Sequence, residues 1–191
     1  MDRRVVASFL WRRLEEPGHD ACRLLRSVDG WRLEGTTVFD AAAGPCCLRY
    51  EVLADNDFRT RRAAVSGYLG RRAVELRIVA SGRPGSRRWR LNGEPVSRVD
   101  GCLDLDLGFT PATNLLPIRR LALGIGEAAE APAAYLSFPG LRMSALVQHY
   151  RRVGRDAYAY ESPSFRYAAT LQVERHGMVV DYPGLFELAG H

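Results

Sequence analysis

The stretch that decides the fold is Gly101-Cys102-Leu103-Asp104-Leu105-Asp106-Leu107-Gly108-Phe109-Thr110-Pro111-Ala112-Thr113-Asn114-Leu115-Leu116-Pro117-Ile118-Arg119-Arg120-Leu121. Leu103, Leu105 and Leu107 alternate with Cys102, Asp104 and Asp106. That is the period of a β-strand, so both carboxylates share one face and the leucines take the other. Thr110-Pro111-Ala112-Thr113-Asn114 reads as a turn whose hydroxyls and amide bond the local backbone. A further strand, opening with Arg119 and Arg120, is expected after it. No other stretch sets so much polar chemistry between apolar neighbours.

The same alternation continues outward. Val74, Leu76 and Ile78 face away from Ala73, Glu75 and Arg77; Trp89 and Leu91 from Arg88 and Arg90; Tyr167, Ala169, Leu171 and Val173 from Ala168, Thr170, Gln172 and Glu174. Asp29-Gly30 and Asn92-Gly93 are hairpin signals, because both central residues of the favoured turns need positive φ. This spacing predicts an all-β fold with an antiparallel meander of about ten strands and little helix. Residues 141–153 fit a helical stripe (Leu141, Leu146, Tyr150, Val153) or an alternation (Met143, Ala145, Val147), and strand is the reading adopted. Residues 124–134 are expected to hold a loop or a helical turn. No repeat or linker interrupts the chain, so residues 1–191 are expected to form one β-domain with its own core.

Composition narrows the partners. All 27 basic residues are arginine, and the net charge is +5. They fall largely in doublets such as Arg61-Arg62, Arg87-Arg88 and Arg119-Arg120. On a strand the members of a doublet point to opposite faces, which spreads charge instead of focusing it. No nucleic-acid partner is therefore expected. The four cysteines form no C-x-x-C pair and read as small buried thiols. The four histidines share no metal-ligand spacing, so no metal is expected. Gly124-Ile125-Gly126-Glu127-Ala128-Ala129 matches a dinucleotide pattern outside the βαβ setting that makes it work, and no cofactor is expected. The N-terminal apolar run stops at Arg12, short of a secretion signal, and no run approaches the ~20 residues of a membrane span. A cytoplasmic protein without an integral membrane segment is expected.

Asp104 and Asp106 would stand about 7 Å apart along their strand. Carboxylates spaced by ~5–9.5 Å serve as acid and base in glycoside hydrolysis. The preferred alternative pairs them with Arg49, Arg119 or Arg120, since like charges on one face require compensation. Such a buried network gains little net stability and can line a polar ligand site, so the two readings are compatible. The aromatic turn Asp181-Tyr182-Pro183-Gly184-Leu185-Phe186 is expected to dock on the body, where it would otherwise leave an apolar patch.

Gly101-Cys102-x-Asp104-x-Asp106, followed by Thr110-Pro111-x-Thr113-Asn114-x-Leu116-Pro117-Ile118-Arg119-Arg120-Leu121, resembles the core motif of the bacterial putative glycolipid-binding family. Trp89-Arg90-Leu91-Asn92-Gly93, Gln148-x-Tyr150 and Val180-Asp181-Tyr182-Pro183-Gly184-Leu185-Phe186 extend the resemblance, in order, over nearly the whole chain. It implies a strongly bent antiparallel sheet, a half-barrel or open barrel similar to periplasmic carriers of lipoproteins and lipids. No catalytic residue is carried with it. The implied function is non-enzymatic binding of an amphipathic molecule, such as a glycolipid, on the concave face. Asp104, Asp106, Thr113, Asn114, Arg119 and Arg120 are the candidates for the head group, with Trp31 and Trp89 as stacking platforms and Tyr150 as a further contact. The hollow is expected beside Asp104 and Arg120, with the charged groups at its mouth. Two alternatives stand: a sugar- or lipid-processing enzyme using Asp104 and Asp106, and an interaction module with a free strand edge, a homodimer included.

Overall fold

Alternating segments become strands with one face buried and the other exposed. In β6, for example, Val74, Ile78 and Ala80 are buried while Glu75, Arg77 and Val79 are exposed. The computed structural model describes residues 4–189. The elements run β1 (Arg4–Arg13), β2 (Gly18–Ser27), β3 (Gly30–Ala41), β4 (Gly44–Ala54), β5 (Thr60–Leu69), β6 (Arg72–Ser81), β7 (Arg88–Leu91) and β8 (Glu94–Pro95). Then come β9 (Asp104–Leu107), α1 (Leu115–Leu121), β10 (Ala128–Glu130), β11 (Ala133–Leu136) and β12 (Met143–Leu146). The chain closes with β13 (His149–Gly154), β14 (Ala157–Ser162), β15 (Tyr167–Val173), β16 (Val179–Tyr182) and β17 (Phe186–Leu188).

Fourteen strands form one antiparallel sheet in the order β10-β13-β14-β15-β16-β17-β1-β2-β3-β4-β5-β6-β7-β8. Its outermost strands do not pair with each other, so it is an open sheet and not a closed barrel. The remaining three, in the order β12-β11-β9, form a small inner sheet in which β9 and β11 run parallel. The strand count thus exceeds the ten expected, because strands of two or three residues such as β8, β10 and β17 escape a periodicity test. Twisted sheets beyond ~10 strands curl, and this one has register shifts at Val5/Ala7, Leu53/Ala54, Arg152/Gly154 and Gln172/Val173 that add bend. The inner sheet fills the concavity: Leu105, Leu107 and Phe109 belong to one core with Leu48, Tyr50, Val65 and Ile78 of the large sheet. Ile118 of α1 joins a second cluster with Tyr150, Tyr160 and Leu171. Among the described residues no helix is long and apolar enough to cross a membrane.

Three local readings change. Residues 124–134, expected to hold a loop or a helical turn, carry β10 and the start of β11. The strand expected from Arg119 is the end of a helix. Thr110 is extended at φ −145° and its side chain accepts from Ala112 N at 3.1 Å, with Pro111 next. This is a helix start, since Thr caps the free N–H groups and Pro needs no N–H there. A 3-10 turn over Pro111–Asn114 then feeds α1, which ends on Ala122 in the left-handed region. The first hairpin turns on Val28-Asp29, with Gly30 at φ 139° already paired to Ser27, one residue earlier than Asp29-Gly30 suggested. At Asn92-Gly93 both residues take positive φ, 52° and 89°, as expected. Residues 143–146 and 149–154 are strands, as read, and the Asp181–Phe186 turn docks with Phe186 buried.

Candidate functional site

β9 crosses the concave side with β11 on one flank. Its other backbone groups find side chains and loops: Leu105 N donates to Thr60 Oγ1 at 2.9 Å, and Leu107 N to Thr113 Oγ1 at 3.2 Å. Thr113 Oγ1 thus holds β9, and its side chain is buried outside the lining of the cleft described below. Asp104, only 1% exposed, is gripped by Arg120 through Nε at 3.0 Å and Nη2 at 2.6 Å. The arginine pairing expected from the sequence is thus formed, from helix to strand, and neither residue lines the cleft around Asp106. Burial raises the Asp104 carboxyl above its usual range, outweighing the pull of Arg120.

Asp106 lies two residues on and is only partly buried. Its Oδ2 accepts from Gln148 Nε2 at 2.5 Å, and the same nitrogen donates to Tyr160 Oη at 3.1 Å. Burial, opposed by Gln148 and assisted by the charge of Asp104, pushes its pKa up to about 6. Asp106 forms part of the floor of a cleft of about 510 Å³, together with Leu107, Thr110, Asn114, Tyr160 and Ser162. Such a volume lies within the ~300–1,000 Å³ of small-molecule sites. The cleft lies where the β1 end, the β3–β4 turn, the inner sheet and β14–β17 meet. Its other walls are Tyr135, Phe138, Phe165, Tyr167, Tyr182 and Phe186, with Arg13, Glu15 and Glu16 also in the lining.

The aromatic walls hold one another. Tyr135 and Phe165 meet edge to face at 5.4 Å, Tyr160 and Tyr182 at 5.8 Å, and Tyr167 and Tyr182 at 5.5 Å. Tyr135 can lie over the chain only because residue 108 is glycine: a Cβ there would come within 2.4 Å of Tyr135 Oη. The floor is polar and well buried, with Tyr160 at 2% and Ser162 at 1% exposure, whereas Phe165 at the opening is 56% exposed. Burial pushes the Tyr160 phenol up to about 12, so it stays a neutral donor and acceptor. Ser162 Oγ is buried and makes no well-formed hydrogen bond.

Of the residues singled out from the sequence, the structure brings Asp106 and Asn114 to this cleft. Tyr150 stands just behind them, buried, accepting from Asn114 Nδ2 at 2.9 Å. Arg119 points elsewhere, its guanidinium 5.2 Å from the Phe58 ring centre. Trp89 is a core residue at 1% exposure whose Nε1 donates to Cys102 O at 3.0 Å, leaving no face for stacking. Trp31 stacks on Phe58 at 4.8 Å in a separate depression with Arg26, Arg61 and Arg62. The aromatic walls were missed because they come from distant segments. One signal was present: Tyr158 and Tyr160 alternate in Ala157-Tyr158-Ala159-Tyr160, ahead of Tyr167. Among the described residues no three His, Cys, Asp or Glu side chains gather as metal ligands.

A family model described as "Putative glycolipid-binding" matches residues 8–187. Among solved structures, a DUF1089 family protein from Pseudomonas aeruginosa is similar at 32% identity and a TM-score of 0.77, over 98% of this chain and 95% of that one. No curated protein matches the chain.

Proposed function

Since the chain belongs to the putative glycolipid-binding family, we propose that it binds an amphipathic, glycolipid-like molecule in the cleft beneath β14–β17. The observation that carries this reading is the gradient within the cleft. Hydroxyls, an amide and a carboxylate line its floor, and aromatic rings line its opening. A sugar-bearing head group enters first in this reading. Its hydroxyls meet Asp106, Asn114, Tyr160 and Ser162, and its ring packs on tyrosine faces. The alkyl chain trails along Phe138 and Phe165, each buried methylene adding about 0.8 kcal/mol. This inverts the arrangement expected from sequence, in which charged groups stood at the mouth.

The paired-carboxylate enzyme reading lacks its second member. Asp106 reaches the cleft, but Asp104 is committed to Arg120 and lines no part of it. Binding without catalysis is the simpler function for a single acid in the floor, with Glu15 and Glu16 elsewhere in the lining.

Native mass spectrometry of protein purified from its own host tests the proposal. A retained adduct of glycolipid mass is expected, with its occupancy reduced several-fold in Phe165→Ala, a change at a position 56% exposed. A chain that never carries such an adduct, or one whose adduct ignores this change, contradicts it.

A further inference from the structure

The cleft differs in charge from the molecule around it. The chain carries +5 overall. The formal charges on the cleft wall are nevertheless Arg13 against Glu15, Glu16 and Asp106. Arg13 is engaged through both terminal nitrogens, and its buried Nε has no partner. Its Nη1 donates to Phe109 O at 3.0 Å and its Nη2 to Glu16 Oε2 at 2.8 Å. The guanidinium packs 3.9 Å from the centre of the Phe39 ring and 4.9 Å from that of Phe186, and only 8% of the residue is exposed. The arginines that a phosphate would seek lie elsewhere: Arg120 is closed on Asp104, and Arg119 lies over Phe58. Arg72 reaches the rim, where it donates to Pro139 O at 3.1 Å.

The floor also has unused capacity for hydroxyl groups. Gln148 occupies Asp106 Oδ2, and Oδ1 has no partner among the described residues. Tyr160 Oη accepts from Gln148, so its own proton is free to donate. Ser162 Oγ, able to donate and accept, makes no well-formed hydrogen bond and neighbours Tyr160 Oη. A neutral sugar supplies both donors and acceptors to such a set. A phosphate or sulfate supplies only acceptors and negative charge, and it would meet the Asp106 carboxylate while Arg13 is already bonded to Glu16 and Phe109 O.

We infer that the cleft selects an uncharged, polyhydroxylated head group and rejects phosphate- or sulfate-bearing amphiphiles, with Asp106 as the discriminating residue. The inference rests on the binding reading above and deepens it. The experiment is titration calorimetry of the full chain, at pH 7.5 and below the micelle concentrations, with octyl β-glucoside and octyl phosphate, which share one alkyl chain. Octyl β-glucoside is expected to bind at least tenfold more tightly. In Asp106→Asn the octyl phosphate affinity should rise several-fold while that for the glucoside falls, a gain that damage to the fold would not produce. Octyl phosphate binding as well as or better than the glucoside overturns the inference and leaves the cleft reading standing. So does a preference that survives Asp106→Asn unchanged. Failure of both amphiphiles to bind overturns the cleft reading and the inference with it.

Discussion

Asp106 is the residue on which chemistry and stability pull apart. An acid whose folded pKa lies near 6, against an ordinary 3.8, holds its proton more tightly in the folded chain than in the unfolded one. Its burial therefore costs nothing below about pH 4, costs progressively more as the unfolded chain ionises first, and reaches its full cost above about pH 6. Asp106→Asn, which keeps an acceptor for Gln148, should stabilise the fold by about 1–2 kcal/mol at pH 7.5 and by almost nothing at pH 4. Melting temperatures of both proteins across this interval check it, and a variant less stable at pH 7.5 contradicts it. The sequence placed Asp106 in the site because two aspartates alternate with leucines. It could not tell Asp106 from Asp104: the two share face and chemistry, and only the position of Arg120 on a neighbouring helix separates them. Thr113 and Trp89 were likewise legible as unusual, but a hydroxyl that satisfies a backbone N–H looks, in sequence, like one that waits for a ligand.

At the scale of elements, the unit that builds the site is β9 with the capped turn and α1. β9 is short and buried on both faces, with Asp104 and Leu105 both at or below 1% exposure. It is held by β11, by two threonine hydroxyls and by the Asp104–Arg120 pair. Removing one partner of such a pair leaves a buried charge uncompensated. Arg120→Ala should therefore cost about 3–5 kcal/mol in chemical unfolding. Asp104→Leu combined with Arg120→Met should recover much of that loss, because well-packed apolar replacements are often neutral. A cost below about 1 kcal/mol for Arg120→Ala would mean that the pair does not hold the strand to the helix. The strands of the large sheet were readable because their period is long and clean, as in β6 and β15. The helix was not: Thr110-Pro111 carries a start signal, but α1 has seven residues and Pro117 within its first turn, too short for a 3.6-residue period to emerge.

For the whole molecule, the open sheet curls around a layer that fills most of its concavity. The all-β class and the bent, open architecture were legible from alternation, turn chemistry and resemblance. Where the concavity stays open was not, since that depends on which distant segments meet. The inner sheet packs against β3–β7, and a cleft stays open where β14–β17 and the β3–β4 turn approach Asp106. An amphiphile held there, head group inward, is the central claim. Intermolecular NOEs between isotope-labelled protein and octyl β-glucoside test it most directly. The account predicts glucose-ring protons near Tyr160 and Asn114, and the terminal methyl near Phe165 or Phe138. The reverse orientation, or contacts confined to the separate depression at Trp31, would contradict it.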